Sequence, residues 1–371
     1  MRVSRVILEG FRSYDHTDIE LGDGVTALVG PNGAGKTNIL EAIHLLARGE
    51  SPRAREDAEL VRWGAAVARA GAETERASTR ERVEVVVVAP VPGERRRPRR
   101  YFVDGAPRRP EDALGRVVVV AFFPEDVDLL SDAPSARRRY VDAMIAQLDR
   151  RHRVEVREYQ RVLEQRNALL RALRDEGTVD ESETAFWDGE VCRLGAAISL
   201  RRMRAVREMR GAFRDAVERW GGEHEVDIAY ATPAEGETEV ERAEAYARLL
   251  AGKREKEMWQ ATTLVGPHRE DLAVTSAGRE IPSFASRGEQ RTVVLALKIA
   301  EAAWLRERTA TTPIFLLDDV LSELDPDRRQ RLIDAIPHDA QALVTSALPA
   351  GLPPALADGA RVVRVTRGHV G

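Results

Sequence analysis

A single cysteine, Cys192, stands in 371 residues. Intrachain disulfides and cysteine-rich zinc sites are therefore excluded, and a reducing, cytoplasmic setting is expected. No run of 18 apolar residues occurs, so no membrane-crossing helix and no membrane partner are expected. Met1-Arg2-Val3-Ser4-Arg5 lacks the long apolar core of a secretory signal. Aromatic residues make up only 5% of the chain, and the net charge is −4, so the molecule as a whole is no basic nucleic-acid binder. Any such surface must be local. Lysine is scarcer still. Lys36, Lys253, Lys256 and Lys298 are the only four, which leaves 53 of the 57 basic residues as arginine. One arginine among so many carries little signal, whereas a lysine at a chemically demanding position carries more.

Lys36 is such a position. Gly30-Pro31-Asn32-Gly33-Ala34-Gly35-Lys36-Thr37 fits G-x-x-x-x-G-K-[ST], the P-loop. The apolar run Val25–Val29 reads as a buried strand before it, and Ile39, Ile43 and Leu46 recur at helical spacing after it. The glycines let the backbone approach phosphates, and the loop N–H groups with the helix N-terminus point at the anion. Gly30 to Thr37 and Asn38 are thus candidate nucleotide contacts. Lys36 would reach the β- and γ-phosphates and Thr37 would ligate Mg²⁺.

Ile314-Phe315-Leu316-Leu317-Asp318-Asp319 is an apolar strand ending in two acids, the form of a Walker B strand. The acids emerge at a carboxyl end, where open α/β sheets bind ligands. Asp318 would hold Mg²⁺ through water, and Asp319 would polarise the attacking water as a general base. About 30 residues earlier stands Ser286-Arg287-Gly288-Glu289-Gln290. Ser-x-x-Glu is an ordinary capping box, but a helix N-terminus with serine and glycine is also an anion site. Its position matches the signature motif of ABC ATPases, and Ser322-Glu323-Leu324-Asp325 matches their D-loop. Ser286, Gly288, Glu289 and Gln290 therefore join the candidate nucleotide contacts.

The rest of the chain supplies organisation. Strands are expected at Val3–Leu8, Thr17–Leu21, Glu84–Ala89, Tyr101–Val103 and Val117–Phe123, while 48–80 gives no clear reading. From Ala136 to about Trp220 a proline-free stretch has helical periodicity, broken at Gly177 and ended by Gly221-Gly222. The expected architecture is α/β: an ABC-type P-loop ATPase head with an inserted helical subdomain. Residues 1–130 and 261–371 would form the head, and 131–260 the insertion. Arg95, Arg96 and Arg97, with Arg137, Arg138 and Arg139, are the candidate DNA-phosphate contacts. His268 has no second ligand near it at metal spacing.

The 249 positions between Thr37 and Ser286 exceed what transporter ATPase subunits have and fall short of chromosome-structure ATPases. With Gly10-Phe11-Arg12-Ser13-Tyr14, Phe123-Pro124-Glu125-Asp126, Arg137-Arg138-Arg139-Tyr140-Val141-Asp142, Tyr159 with Val162–Leu170, and Gly266-Pro267-His268-Arg269-Glu270-Asp271-Leu272, the chain resembles the RecF family of bacterial recombination mediators. The resemblance implies ATP and Mg²⁺ as cofactors, and weak, DNA-stimulated hydrolysis. It implies binding at gapped or single-strand/double-strand junction DNA, and an ATP-dependent homodimer. It also implies work with RecR and, through it, RecO and RecA. The rivals are an SMC-like DNA-bridging ATPase and a transporter subunit. Two departures stand out. The first glutamine after the P-loop is Gln147, and Thr345-Ser346-Ala347 stands where such ATPases carry a switch histidine.

Overall fold

A computed structural model of the protein describes residues 1–76, 79–90, 98–176, 181–220, 226–281, 286–322, 324–348, 353, 356 and 359–370. Arg95–Arg97, Gly177, Gly221-Gly222 and Glu323 lie outside them. The chain clusters into two compact units.

The first unit comprises 1–128, 212–223 and 286–371. One of its sheets is antiparallel in the order β2-β1-β4-β5-β6-β7. These strands are β1 (Arg2–Phe11), β2 (Tyr14–Glu20), β4 (Val67–Arg76), β5 (Thr79–Val88), β6 (Arg100–Val103) and β7 (Ala106–Arg108). The other has the order β15-β14-β3-β13-β12-β8. It is built of β3 (Val25–Val29), β8 (Val119–Phe122), β12 (Ile314–Leu317), β13 (Ala342–Ser346), β14 (Arg361–Thr366) and β15 (His369–Val370). All its pairings are parallel except the terminal β14–β15 hairpin. Parallel strands covered on both faces read as unbroken apolar runs, and Ile314, Phe315, Leu316 and Leu317 are all fully buried. Helices α1 (Lys36–Arg48), α2 (Pro110–Ala113), α8 (Arg287–Thr309) and α9 (Pro326–Ala335) complete the unit. One core joins both sheets to α1 through Leu8, Phe11, Leu28, Ile39, Ile43 and Leu316.

The strands extend past their expected ends. β1 runs to Phe11 and β2 begins at Tyr14, leaving a two-residue turn with Arg12 at φ 53°. β4 had no signature because its inward positions are the alanines Ala68, Ala70 and Ala72. Alternation of Ala with Arg and Glu gives almost no hydrophobic contrast. Gly71 sits opposite Glu84 in the register, whose Cγ would lie 3.2 Å from an added Cβ.

The second unit comprises 129–211 and 224–285. Its helices are α3 (Pro134–Ala146), α4 (Arg150–Glu176), the greater part of α5 (Glu181–Arg219), α6 (Glu239–Ala251) and α7 (Arg254–Gln260). A small antiparallel sheet, β11-β10-β9, is formed by β9 (Val226–Ala231), β10 (Asp271–Ser276) and β11 (Arg279–Glu280). The unit thus begins close to the expected residue 131 but continues past 260. Gly266–Leu272 and the strand after it belong here, not to the ATPase head.

Buried ion pairs organise this unit. Arg166, 2% exposed, donates to Asp188 Oδ1 (2.7 Å), Glu257 Oε2 (2.7 Å) and Thr263 Oγ1 (2.9 Å). Arg202 clamps Asp142 with two bonds of 2.7 Å and reaches the Tyr230 hydroxyl and the Pro267 carbonyl. Removing one partner of a buried pair strands the other charge. Arg166→Met should therefore destabilise the protein by about 3–5 kcal/mol, because among the described residues Glu257 keeps only the Leu264 N–H. Urea unfolding measures this, and an unmoved midpoint would refute it.

Candidate nucleotide site

The loop after β3 is held by the backbone around it. Gly30 N–H donates to Ser346 O at the end of β13 (3.2 Å), and a Cβ on Gly30 would stand 2.0 Å from Val365 O. Gly35 has φ 112°, and a Cβ there would meet Ser13 Oγ at 2.8 Å and Tyr14 Oη at 2.9 Å. The Tyr14 hydroxyl in turn donates to Gly35 O (3.1 Å), and burial pushes its pKa upward. The β1–β2 turn therefore packs the loop from outside, and only glycine fits at the contact. Lys36 opens α1, and its ammonium donates to Gly30 O (2.7 Å) and Pro31 O (3.1 Å). Asn38 donates to Ser13 Oγ (2.9 Å) and accepts from Arg53 Nη2 (2.7 Å).

Walker A meets Walker B directly. The Thr37 hydroxyl donates to Asp318 Oδ1 (2.9 Å), and the Thr345 hydroxyl donates to the same oxygen (3.0 Å). Asp318 is 3% exposed, and burial raises its pKa while the Thr37 and Thr345 hydroxyls lower it. Thr345 also accepts from Asp319 N–H (2.8 Å), so the residue in the place of a switch histidine ties the two acids together. Asp319 turns away from the strand with φ 53°. Its carboxylate accepts from the Ser322 hydroxyl (3.2 Å), which also donates to Asp319 O (2.7 Å). A hydroxyl and a carboxylate oxygen side by side, 2.9 Å apart, are hard oxygen donors, the kind that suits Mg²⁺. Thr37 and Asp318 therefore fit that ion.

Ser286 is the N-cap of α8. Its Oγ accepts from Glu289 N–H (3.3 Å), and Glu289 Oε2 accepts from Ser286 N–H (2.7 Å), a complete capping box. Gln290 N–H donates to Ser286 O (2.9 Å). Ser286 and Glu289 are exposed, and Gly288 and Gln290 partly so. Ser286–Gln290 is thus a capped, exposed helix end, and among the described residues the hydrogen bonds of Ser286 stay within the first turn of α8.

Of the arginines expected to touch DNA, Arg137 is buried and Arg138 half-buried. Arg137 is paired with Asp271 (2.9 and 2.5 Å) and donates to the Leu130 and Asp132 carbonyls (2.9 Å each). Arg138 donates to Glu270 O (2.7 Å). The Arg137 guanidinium is used up inside the second unit, so the expectation of a phosphate contact is corrected for it; Arg138 keeps part of its surface and Arg139 is exposed. His268 is likewise structural. Its Nδ1 accepts from the Tyr159 hydroxyl (2.9 Å), its Nε2–H donates to Thr263 O (3.0 Å), and burial lowers its pKa to about 4. Gln147 is buried at the end of α3.

Sequence reasoning missed Arg53 and Glu41. Glu41 is fully buried and accepts from Arg12 (2.9 and 2.5 Å), Arg53 (3.0 Å) and the Ser51 hydroxyl (2.5 Å). This carboxylate aims Arg53 at Asn38, one residue beyond the P-loop threonine. A lone arginine among 53 gave no signal.

The family model for the RecF/RecN/SMC N terminal domain matches residues 2–367. The DNA replication and repair protein RecF of Chloroflexus aurantiacus is 39% identical over 368 residues, covering 93% of each chain. RecF of Geobacillus kaustophilus is 32% identical over 382 residues, covering 100% of this chain and 99% of its own. A solved structure of the recombination mediator RecF with ATP, in the RecFOR pathway, superposes with a TM-score of 0.89. It is 26% identical and covers 100% of this chain and 96% of that one.

Proposed function

The chain belongs to the RecF/RecN/SMC N-terminal domain family, with RecF proteins as full-length relatives, and from that premise we propose that it is an ATP-dependent DNA-binding protein of recombinational repair. It binds gapped or junction DNA and helps load the RecA recombinase with RecO and RecR. ATP closes it into a homodimer, and slow, DNA-stimulated hydrolysis releases it in the cytoplasm.

The observation that carries this reading is the hydrogen-bonded set Thr37–Asp318–Thr345–Asp319, set against a P-loop shaped by Gly30 and Gly35. The loop N–H groups and Lys36 would bind the phosphates, and Thr37, with Asp318 through water, would hold Mg²⁺. The ion, when bound, offsets phosphate charge. Asp319, steadied by Ser322, takes a proton from the attacking water. Thr345 is a hydroxyl and cannot act as a histidine does, which is consistent with slow turnover.

Fluorescence anisotropy on gapped and blunt duplexes, with ATP, ADP and no nucleotide, tests the reading. Tighter binding to the gapped duplex with ATP is expected, with an affinity that falls steeply with salt. Equal, nucleotide-independent binding to both duplexes would overturn it.

A further inference from the structure

Helix α7 is nailed to the second unit along one side. Glu257, 1% exposed, is paired with Arg166 and accepts from Leu264 N–H (2.6 Å). Arg254 donates to Asp188 (3.2 Å) and to the Thr184 hydroxyl (2.7 Å). Ala261, in the left-handed conformation with φ 50°, ends the helix and is buried. These contacts fix the rotation of α7 about its axis. Residues three apart on the opposite ridge then face solvent. They are Lys253, Lys256 and Trp259, with Gln260 beside them, and all four are exposed.

The composition of this ridge is unusual for the chain. Half of its four lysines lie within four residues of one another. Neither side chain is engaged in an ion pair or hydrogen bond among the described residues. Trp259 is 77% exposed in a chain with only five tryptophans. Glu255 is the exposed acid of the helix; it lies about 160° round the axis from Lys253 and about 100° from Lys256, and four residues before Trp259 it flanks the indole rather than the lysines. The ridge from Lys253 to Trp259 is about 9 Å long.

We propose that the Lys253–Lys256–Trp259 ridge is a contact for single-stranded nucleic acid, the lysines meeting phosphates and the indole stacking on an unpaired base. Two exposed ammonium groups in line with a flat aromatic face combine the two elements of sequence-tolerant single-strand binding, charge along the backbone and a stacking platform. A duplex offers phosphates but no free base face, so the tryptophan selects the unpaired strand. This rests on the DNA-binding reading above and names which strand of a gap this face takes. It also supplies a surface where the buried Arg137 cannot.

The test uses the full chain with fluorescein-labelled oligo(dT) and a blunt duplex as probes. Trp259→Ala should weaken oligo(dT) binding about 5- to 150-fold. Blunt-duplex binding and ATP affinity should stay unchanged, and Trp259→Phe should retain most of the affinity. Lys253→Gln with Lys256→Gln should lower the slope of log affinity against log salt by about 1.4, the value for two released phosphate counterions on a single strand. These side chains are exposed, so circular dichroism should match wild type. If wild type binds oligo(dT) and the variants bind it equally well with the same slope, the inference is overturned, and the ridge meets a protein instead. If wild type binds neither oligo(dT) nor gapped DNA in any nucleotide state, the functional reading fails with it.

Discussion

Lys36→Ala should lose most of its affinity for ATP while staying folded. The ammonium already donates to two loop carbonyls, Gly30 O and Pro31 O, so it lies folded over the loop that is to hold the phosphates. A hydrogen bond to a charged group is worth about 1.5–3 kcal/mol. Losing one such contact on a phosphate corresponds to about 10- to 150-fold in affinity. The fold should survive because Gly30 N–H, Ala34 N–H and Asn38 N–H remain tied to Ser346 O, Pro31 O and Gly35 O. Lys36→Arg keeps the charge but replaces a compact ammonium with a planar fork. It should bind ATP more weakly than wild type and turn over poorly. Calorimetric titration with ATP checks both variants. Unchanged affinity in Lys36→Ala would remove the P-loop from the nucleotide site.

What the sequence made legible is what is local in it. The P-loop and β12 each carry their full signature in eight or fewer consecutive residues, and Thr37 and Asp318 meet at 2.9 Å although 281 positions separate them. The ABC-type ATPase fold follows from their order. What stayed hidden depends on partners far along the chain. Arg137 and Arg138 look like surface charge until Asp271 and the carbonyl of Glu270 come to meet them. β4 is buried through alanines, so burial there needs a neighbouring sheet and no large side chains of its own. The expected end of the insertion at 260 falls short because the short run at Asp271–Ser276 carries no local sign of which unit it joins. Its pairing with β9 across some 40 residues decides it. Thr345 gave no warning of its role, since a threonine in a strand is ordinary, and only the two acids beside it make its hydroxyl informative.

The dimer should respond in opposite directions to Asp319→Asn and Ser286→Arg. Asp319 has φ 53°, a conformation that asparagine accepts as readily as aspartate. The substitution therefore removes the base while sparing the backbone, and the Ser322 hydroxyl can still reach the new side chain. Loss of a positioned general base costs about 10²- to 10⁴-fold in rate. ATP binding is spared because Asp318, Thr37 and Thr345 are untouched, so the variant should accumulate as an ATP-bound dimer. Ser286 caps α8 at an exposed helix end, whose partial positive charge would face the γ-phosphate held by the partner's P-loop. Ser286→Arg places a long side chain there and should leave a monomer that still binds ATP. Losing the cap alone costs about 1 kcal/mol, so Ser286→Ala is the control: it loses the cap, keeps the space, and should still dimerise. Sedimentation velocity with ATP, ADP and no nucleotide separates the three. Wild type should dimerise with ATP only, and Asp319→Asn should remain dimeric for longer. If Ser286→Arg dimerises as wild type does, the first turn of α8 is a helix cap and nothing more, and the ATP-bridged dimer must close through other residues.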